Sequence, residues 1–282
     1  MREWEIDSIV RKWRGSLIER ARQELTRMQL TEGFAGARTI QDVLDRLDAE
    51  IERGVREGSR HVYFTCLYRA VTERVRQDVE RGRFEDGPRL ARLDVVFANR
   101  YLAALHAYQR GESLTRSWRK AFEAASSGRL TILQHMLLGV NAHINLDLGI
   151  AAAEIAPGPS LPGLKKDFDE ITVLLGEMLD EVQDRLAGVS PWLGLLDMVG
   201  GRTDEEICTF CIGGARELAW RWAERSCALS GERLHAEIDD LDRKVAFLSL
   251  PIRRPTPLIA TALAVIRMRE TPDVERVVKA LT

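Results

Sequence analysis

Apolar residues recur every three or four positions along nearly the whole chain, the spacing that places them on one face of an α-helix. No stretch alternates apolar and polar residues between hairpin turn signals, so no strand is predicted. The fold class predicted is therefore all-α. Helices are predicted over residues 3–28, 39–57, 59–81, 88–110, 113–128, 130–155, 164–187, 203–229, 232–248 and 256–281.

Capping residues mark several of these helix ends. Thr39 is followed three positions later by Asp42, which predicts a capping box at the start of the second helix. The segment 157–159 reads Pro-Gly-Pro and cannot continue the helix before it. These signals place a helix boundary at about residue 155.

The chain is predicted to form one compact multi-helix bundle, because no repeat or low-complexity linker divides residues 1–282. Within it, an N-terminal helical pair (1–57) is expected to pack on a core (59–250), and C-terminal helices occupy 256–281. The centre of the bundle is expected to be a buried helix at about 130–155.

Charge and composition narrow the functional classes. The 41 basic and 43 acidic residues give a net charge of -2 with no block of like charge, so nucleic-acid binding is not expected. No signal-peptide pattern and no run of about 18 apolar residues appears, so no transmembrane segment is expected. Four cysteines are too few for a disulfide framework. A cytoplasmic location is expected, and the oligomeric state stays open.

The segment between Arg129 and Lys165 carries only two formally charged residues, Asp147 and Glu154, whereas 30% of the whole chain is charged. A helix with so little charge is expected to be buried on most sides. It nevertheless contains several polar side chains, which are Gln134, His135, Asn141, His143, Asn145 and Asp147.

Helical geometry separates these side chains into two sets. Gln134, Asn141 and Asn145 form one stripe, and His143 and Asp147 form an i, i+4 pair on nearly the opposite side. A buried polar group without a partner costs about 1–3 kcal/mol, so these groups must meet partners or bind a ligand. A structural role is the preferred interpretation of the amide stripe. Both interpretations stay open for the pair.

Two neighbouring helices offer further candidates. Asp94 lies in the middle of the apolar face of the helix 88–110, while Arg92 and Arg100 are predicted to point elsewhere. A carboxylate in such a place pairs with a cation or a metal ion, or is protonated. His61 lies at the edge of the apolar face of the helix 59–81.

His61, Asp94, His143 and Asp147 are therefore predicted to converge, and this donor set suits Zn, Fe or Mn. An ion pair between Asp94 and either histidine would explain the same residues without a metal.

Two segments, 93–98 (Leu-Asp-Val-Val-Phe-Ala) and 141–148 (Asn-Ala-His-Ile-Asn-Leu-Asp-Leu), carry a family resemblance. They resemble the signature of a bacterial all-helical family of unknown function. The similarity extends over about 61–247 and includes Trp118. It implies a helical fold and no established activity.

The His143-x-x-x-Asp147 pattern, with Asp94 and His61, is similar in kind to the zinc ligands of the all-α zinc-dependent phospholipase C and nuclease group. No further histidine follows Asp147 closely, and no second His-x-x-x-Glu helix is present. The resemblance therefore implies one or two metal ions at most.

The leading hypothesis is a metal-assisted enzyme, a hydrolase, with Asp94, His143 and Asp147 as catalytic residues. Its metal is a divalent Zn, Fe or Mn ion held by these three residues and His61. Contacts with a small-molecule or lipid-like substrate are expected from Asn141, Asn145, Tyr68, Tyr101 and Gln134.

Two alternatives stay open. One is a non-catalytic helical protein that binds an apolar or isoprenoid-like ligand. The other is a structural or partner-binding domain with a satisfied buried polar network.

Overall fold

The computed structural model describes residues 34–190 and 204–282, with side chains described from 212 onward in the second part. The described residues are mainly helical, with no strand among them, which confirms the all-α prediction. The predicted helix at 3–28 lies outside the described residues. In chain order the helices are α1 Ile40–Glu57, α2 Val62–Glu80, α3 Gly87–Gln109, α4 Arg116–Ser127, α5 Ile132–Ala142, a π-helical segment His143–Asp147, α6 Leu148–Ile155, α7 Lys165–Glu177, α8 Leu179–Ala187, α9 Asp204–Ser226, α10 Gly231–Arg253, α11 Pro257–Arg269 and α12 Val274–Leu281.

Helix α1 begins as its sequence predicts. The Thr39 hydroxyl accepts a hydrogen bond from the Asp42 backbone N–H at 3.0 Å, and the Asp42 carboxylate accepts one from Thr39 at 3.1 Å. This capping box satisfies two of the N–H groups that a helix start leaves free. Helix α1 then packs against α2 and α3.

Three helices predicted as continuous are interrupted in the structure. The predicted helix 164–187 divides into α7 and α8 just after Gly176, a poor helix former. The predicted helix 256–281 divides into α11 and α12 around Pro272, which cannot continue α11. The predicted helix 130–155 keeps its course but contains the π-helical segment between α5 and α6.

The helix from Ile132 to Ile155 lies at the centre of the bundle, as predicted. It contacts α2, α3, α4, α9 and α10. Among the described helices it is the one long and apolar enough to cross a membrane, but 78% of its most apolar window is buried within the protein. Burial of that extent is what the core helix of a bundle requires.

Two glycines let neighbouring helices approach this central helix closely. A Cβ added at Gly139 would lie 2.3 Å from the ring of Phe64 on α2. One added at Gly149 would lie 2.7 Å from the carbonyl oxygen of Ala219 on α9. Both distances are shorter than any allowed contact, so the absence of a side chain sets how near α2 and α9 come.

Buried carboxylates complete the starts of three helices from distant parts of the chain. Asp167 accepts hydrogen bonds from backbone N–H groups at the start of α3, Asp242 does so for α4, and Glu270 does so for α5, at 2.7 to 3.2 Å. A negative charge at a helix N-terminus also complements the helix dipole. These bonds join the second half of the described chain to the first.

Candidate functional site

The π-helical segment carries the central pair of the site, His143 and Asp147. The Nδ1 of His143 lies 3.3 Å from the Oδ2 of Asp147, and each residue is only 2% exposed. The sequence prediction that these two side chains meet is thereby confirmed at the level of contact. Single π-helical turns inside α-helices occur often at functional sites.

Asp147 is held by two further donors. The Nε of Arg100 donates to its Oδ1 at 3.0 Å, and the indole N–H of Trp118 donates to its Oδ2 at 2.9 Å. Both donors are almost completely buried. Three side chains from three helices therefore fix the position and the negative charge of this carboxylate.

Arg100 points away from the apolar stripe of Asp94, but it is buried and not exposed to solvent. Arg100 lies about 120° around α3 from Asp94, so it does leave the apolar stripe on which Asp94 lies. Helix α3 is buried on this second side too, where it packs against the π-helical segment. The signal that could have found Arg100 was the charge on Asp147, which needed a cation from another helix.

The His143 ring is enclosed by aromatic side chains. It stacks on Phe97 with ring centres 3.5 Å apart and meets the Tyr68 ring edge-on at 4.4 Å. Further rings lie at 5.7 to 6.1 Å, from Phe64, Trp118 and Tyr101. Burial lowers the pKa of His143, and the bond to Asp147 opposes that shift. The imidazole is therefore neutral at pH 7, and its Nε2 has no hydrogen-bond partner.

Asp94 lies on the same side of α3 as Phe97 and is also buried, with its Oδ2 unpartnered. Burial raises the pKa of this carboxyl to about 7. The Tyr68 hydroxyl is unpartnered as well, and burial followed by the charge of Asp94 raises its pKa. The Thr72 hydroxyl, one helical turn from Tyr68, is also buried and lies close enough to the Tyr68 hydroxyl to oppose that rise in its pKa.

Buried polar atoms in proteins nearly always have hydrogen-bond partners. Here unpartnered atoms of His143, Asp94, Tyr68, Thr72 and Arg100 occur together on α2, α3 and the π-helical segment. Such a concentration points to a place where a water molecule or a ligand completes the bonds.

His61, the fourth predicted metal ligand, is not part of this cluster. It lies at the start of α2, where its Nδ1 is 2.7 Å from the Ser59 hydroxyl. Eleven residues of helix, about 16 Å, separate it from Thr72. Burial lowers its pKa to about 4.

The predicted ion pair between Asp94 and a histidine does not occur among the ion pairs of the described chain. Likewise, no three His, Cys, Asp or Glu side chains of the described part group closely enough to hold a metal ion. The structure therefore brings His143 and Asp147 together, places Asp94 within electrostatic reach of Tyr68, and separates His61.

The side chains of the amide stripe form hydrogen bonds with backbone carbonyl groups of α10. The Gln134 amide donates to the carbonyl oxygen of Ile252, in the last turn of α10, at 2.6 Å. Asn141 donates to the carbonyl oxygen of Val245 at 3.1 Å and accepts from Asn145 at 3.0 Å. These contacts anchor α10 to the central helix, in line with the structural interpretation of the stripe.

Tyr101, the last of the predicted substrate contacts, has a satisfied hydroxyl. Its oxygen lies 2.6 Å from the Thr65 hydroxyl, and the residue is fully buried. Tyr101 therefore contributes its ring to the aromatic enclosure. Of the five residues predicted to contact substrate, only Tyr68 keeps a fully buried polar atom without a partner.

Comparison with known proteins gives one match. The model of a protein family described as a family of unknown function, DUF5995, matches residues 40–255. No curated protein and no solved structure matches the chain. The resemblance to zinc-dependent phospholipases is therefore found in none of the comparisons.

Proposed function

We propose that this chain, which belongs to the family of unknown function DUF5995, is an acid–base enzyme that hydrolyses a small, largely apolar carboxylic ester. The observation that carries the proposal is the Asp147–His143 pair, whose outer nitrogen, His143 Nε2, is buried and unpartnered. A histidine oriented by a carboxylate through one nitrogen and open at the other is the usual form of a general base.

His143 has the protonation state that a base needs. Because burial keeps its pKa low, the ring is neutral at pH 7 and can take a proton at Nε2 from a water molecule. The Nδ1–H then donates to Asp147, whose charge stabilises the imidazolium that forms. Arg100 and Trp118 hold Asp147 in place during this transfer.

Asp94 and Tyr68 supply the general acid and the donor to the oxyanion in the proposed reaction. With a pKa of about 7, the Asp94 carboxyl carries a proton for much of the time at neutral pH and can donate it to the leaving alkoxide. The Tyr68 hydroxyl can donate to the oxygen that becomes negative in the tetrahedral intermediate. Water adds across the acyl–oxygen bond, and the products are a carboxylic acid and an alcohol.

The aromatic enclosure favours an uncharged substrate with an apolar acyl chain. The rings of Phe64, Tyr68 and Phe97 meet one another and the imidazole at 3.5 to 5.9 Å. Such a lining keeps bulk solvent away from the site and strengthens each electrostatic interaction in it.

A divalent Zn, Fe or Mn ion stays a prediction from the sequence, and no step above uses one. The residues present fit it poorly, because His61 lies elsewhere and Asp147 is already bound to a guanidinium. Elemental analysis of the purified protein tests this point directly. Stoichiometric metal that is lost in Asp94→Ala and His143→Ala variants would support a metal-dependent site.

The proposal is tested with p-nitrophenyl esters of increasing acyl length. His143→Gln and Asp147→Asn should each lower kcat/KM by about 10²–10⁴-fold while circular dichroism stays unchanged. His235→Gln, an exposed histidine on α10, is the matched control and should keep full activity. Retention of activity in both site variants would contradict the proposal.

A wild-type protein without esterase activity that co-purifies with an apolar molecule in native mass spectrometry would favour the non-catalytic binder. The unpartnered atoms of the site would then orient that ligand.

A further inference from the structure

A second cluster of unpartnered polar groups lies away from the candidate site, around Gly128 between α4 and α5. We infer that Arg60, Arg267 and His135 form a binding site for a phosphate group, either free or carried by a small molecule. This inference is independent of the proposed hydrolysis and involves none of its residues.

Two guanidinium groups meet at Gly128. The Nη2 of Arg267 donates to the Gly128 carbonyl oxygen at 2.5 Å. The Arg60 side chain lies against the other side of the same residue, where a Cβ added at Gly128 would be 3.1 Å from its Nη1. Two cations held at one residue repel each other, and an anion bound between them would remove that repulsion.

Neither arginine has a carboxylate partner within the described part of the chain. The Arg60 side chain makes no hydrogen bond or ion pair there, and the Nε of Arg267 is buried without a partner. Most of the arginines on α2 are, in contrast, bound to acidic side chains, as Arg69 is to Asp48 and Arg76 is to Glu73. Arg60 and Arg267 therefore present unused donors.

His135 forms the inner wall of the cluster. It is 5% exposed, and both of its ring nitrogens lack hydrogen-bond partners. Burial and the charges of Arg60 and Arg267 lower its pKa to about 4, so the ring is neutral and can donate one N–H to an anion. The Tyr63 ring stands at 6.1 Å, also within reach of both arginine charges.

The acidic neighbours of the cluster are engaged elsewhere. Glu270 accepts from the Ile132 backbone N–H and from the Ser190 hydroxyl, the latter at 2.7 Å. Asp273 accepts from backbone N–H groups at the start of α12. Neither forms an ion pair with Arg60 or Arg267, so the guanidinium groups keep their donors for a ligand.

A phosphate group matches these donors better than a carboxylate does. Its three outer oxygens can accept from two guanidinium groups and one imidazole at the same time, and arginine binds phosphate in a bidentate manner. The half-buried positions of both arginines make such bonds stronger than at an open surface.

The inference is tested by calorimetric titration of the full chain at pH 7 with inorganic phosphate and, separately, with phenyl phosphate. Arg60→Gln should weaken binding of both by about tenfold or more. The Arg60 side chain forms no hydrogen bond or ion pair within the described part of the chain, so this variant is expected to fold normally. Arg129→Gln, an exposed arginine next to Gly128, is the matched control and should bind as the wild type does.

Nuclear magnetic resonance gives a second readout. Bound phosphate should raise the pKa of His135 from about 4 towards its ordinary value, because a nearby anion favours the imidazolium. Tighter binding of phenyl phosphate would identify a phosphomonoester as the ligand, and equal binding would identify phosphate itself. No binding at millimolar concentrations, or equal binding by the Arg60 variant, would overturn the inference.

Discussion

The Nε of Arg100 and the Oδ1 of Asp147 lie 3.0 Å apart, joined across 47 residues of sequence in the interior of the bundle. Removing one partner of such a pair leaves a buried charge uncompensated. Arg100→Met should therefore lower the free energy of unfolding by about 3–5 kcal/mol in urea denaturation. Arg92→Met, on the exposed side of the same helix, should change it by less than about 0.5 kcal/mol.

The double variant Arg100→Met/Asp147→Asn shows whether Arg100→Met loses stability through the unpaired charge or through altered packing. It removes both charges and should recover part of the lost stability. A double variant no more stable than Arg100→Met would show that the ion pair is not the source of the effect.

The pH dependence of stability should reflect Asp94. Its pKa of about 7 in the folded protein lies above the value of about 3.9 in an unfolded chain. The folded protein therefore binds this proton more tightly than the unfolded chain does. The resulting stabilisation is complete below pH 4 and is lost as the pH rises through 7. Its size is at most about 4 kcal/mol.

Asp94→Asn should accordingly be more stable than the wild type at pH 8, and the two should converge towards pH 4. Urea denaturation at pH 4.5 and pH 8 measures the difference. Asp180→Asn, an exposed carboxylate on α8, should show no such change with pH. Parallel curves for Asp94→Asn and the wild type would mean that Asp94 is paired in solution.

Gly139→Ala tests the close approach of α2 to the central helix. The new Cβ would lie 2.3 Å from the ring of Phe64, so the two helices must separate. Overpacking of this kind costs about 1–3 kcal/mol, more than the gain of replacing a helical glycine. Gly176→Ala, in α7, meets nothing within 4 Å and should be neutral or stabilising. Thermal unfolding of both variants gives the comparison.

Asp242→Ala tests whether a distant carboxylate completes α4. It removes the acceptor for the backbone N–H groups of Arg116 and Ser117, at 2.8 and 3.0 Å. The loss expected is about 1–3 kcal/mol in the free energy of unfolding, because these donors, of which the Ser117 N–H is buried, lose their acceptor. Asp240→Ala, half-buried on the same helix and paired only with the exposed Arg243 and Lys244, should lose little. Similar losses in the two variants would contradict the capping role.

The features that could be predicted from the sequence depend on residues within one helix. The capping box of Thr39 and Asp42, the burial of the uncharged segment and the contact of His143 with Asp147 all depend on neighbours three or four positions apart. Helical periodicity contains that information directly.

The partners across helices could not be predicted in the same way. Arg100 and Trp118 reach Asp147 from α3 and α4, and the pattern of each helix says only that one face is buried. Which side of α3 meets the π-helical segment depends on how the helices pack. For the same reason His61 was predicted to join the site, although it lies at the start of α2, about two helical turns before Tyr68.

The carboxylates that complete α3, α4 and α5 have a consequence for synthesis of the chain. Each carboxylate lies far along the chain from the backbone N–H that it accepts from. The separations are 81 residues for Asp167, 126 for Asp242 and 138 for Glu270. During translation the backbone N–H groups at the starts of α3, α4 and α5 therefore lack these acceptors until much later residues leave the ribosome. Folding of this protein is expected to be late and cooperative, and nascent chains that stop before α10 should remain sensitive to protease.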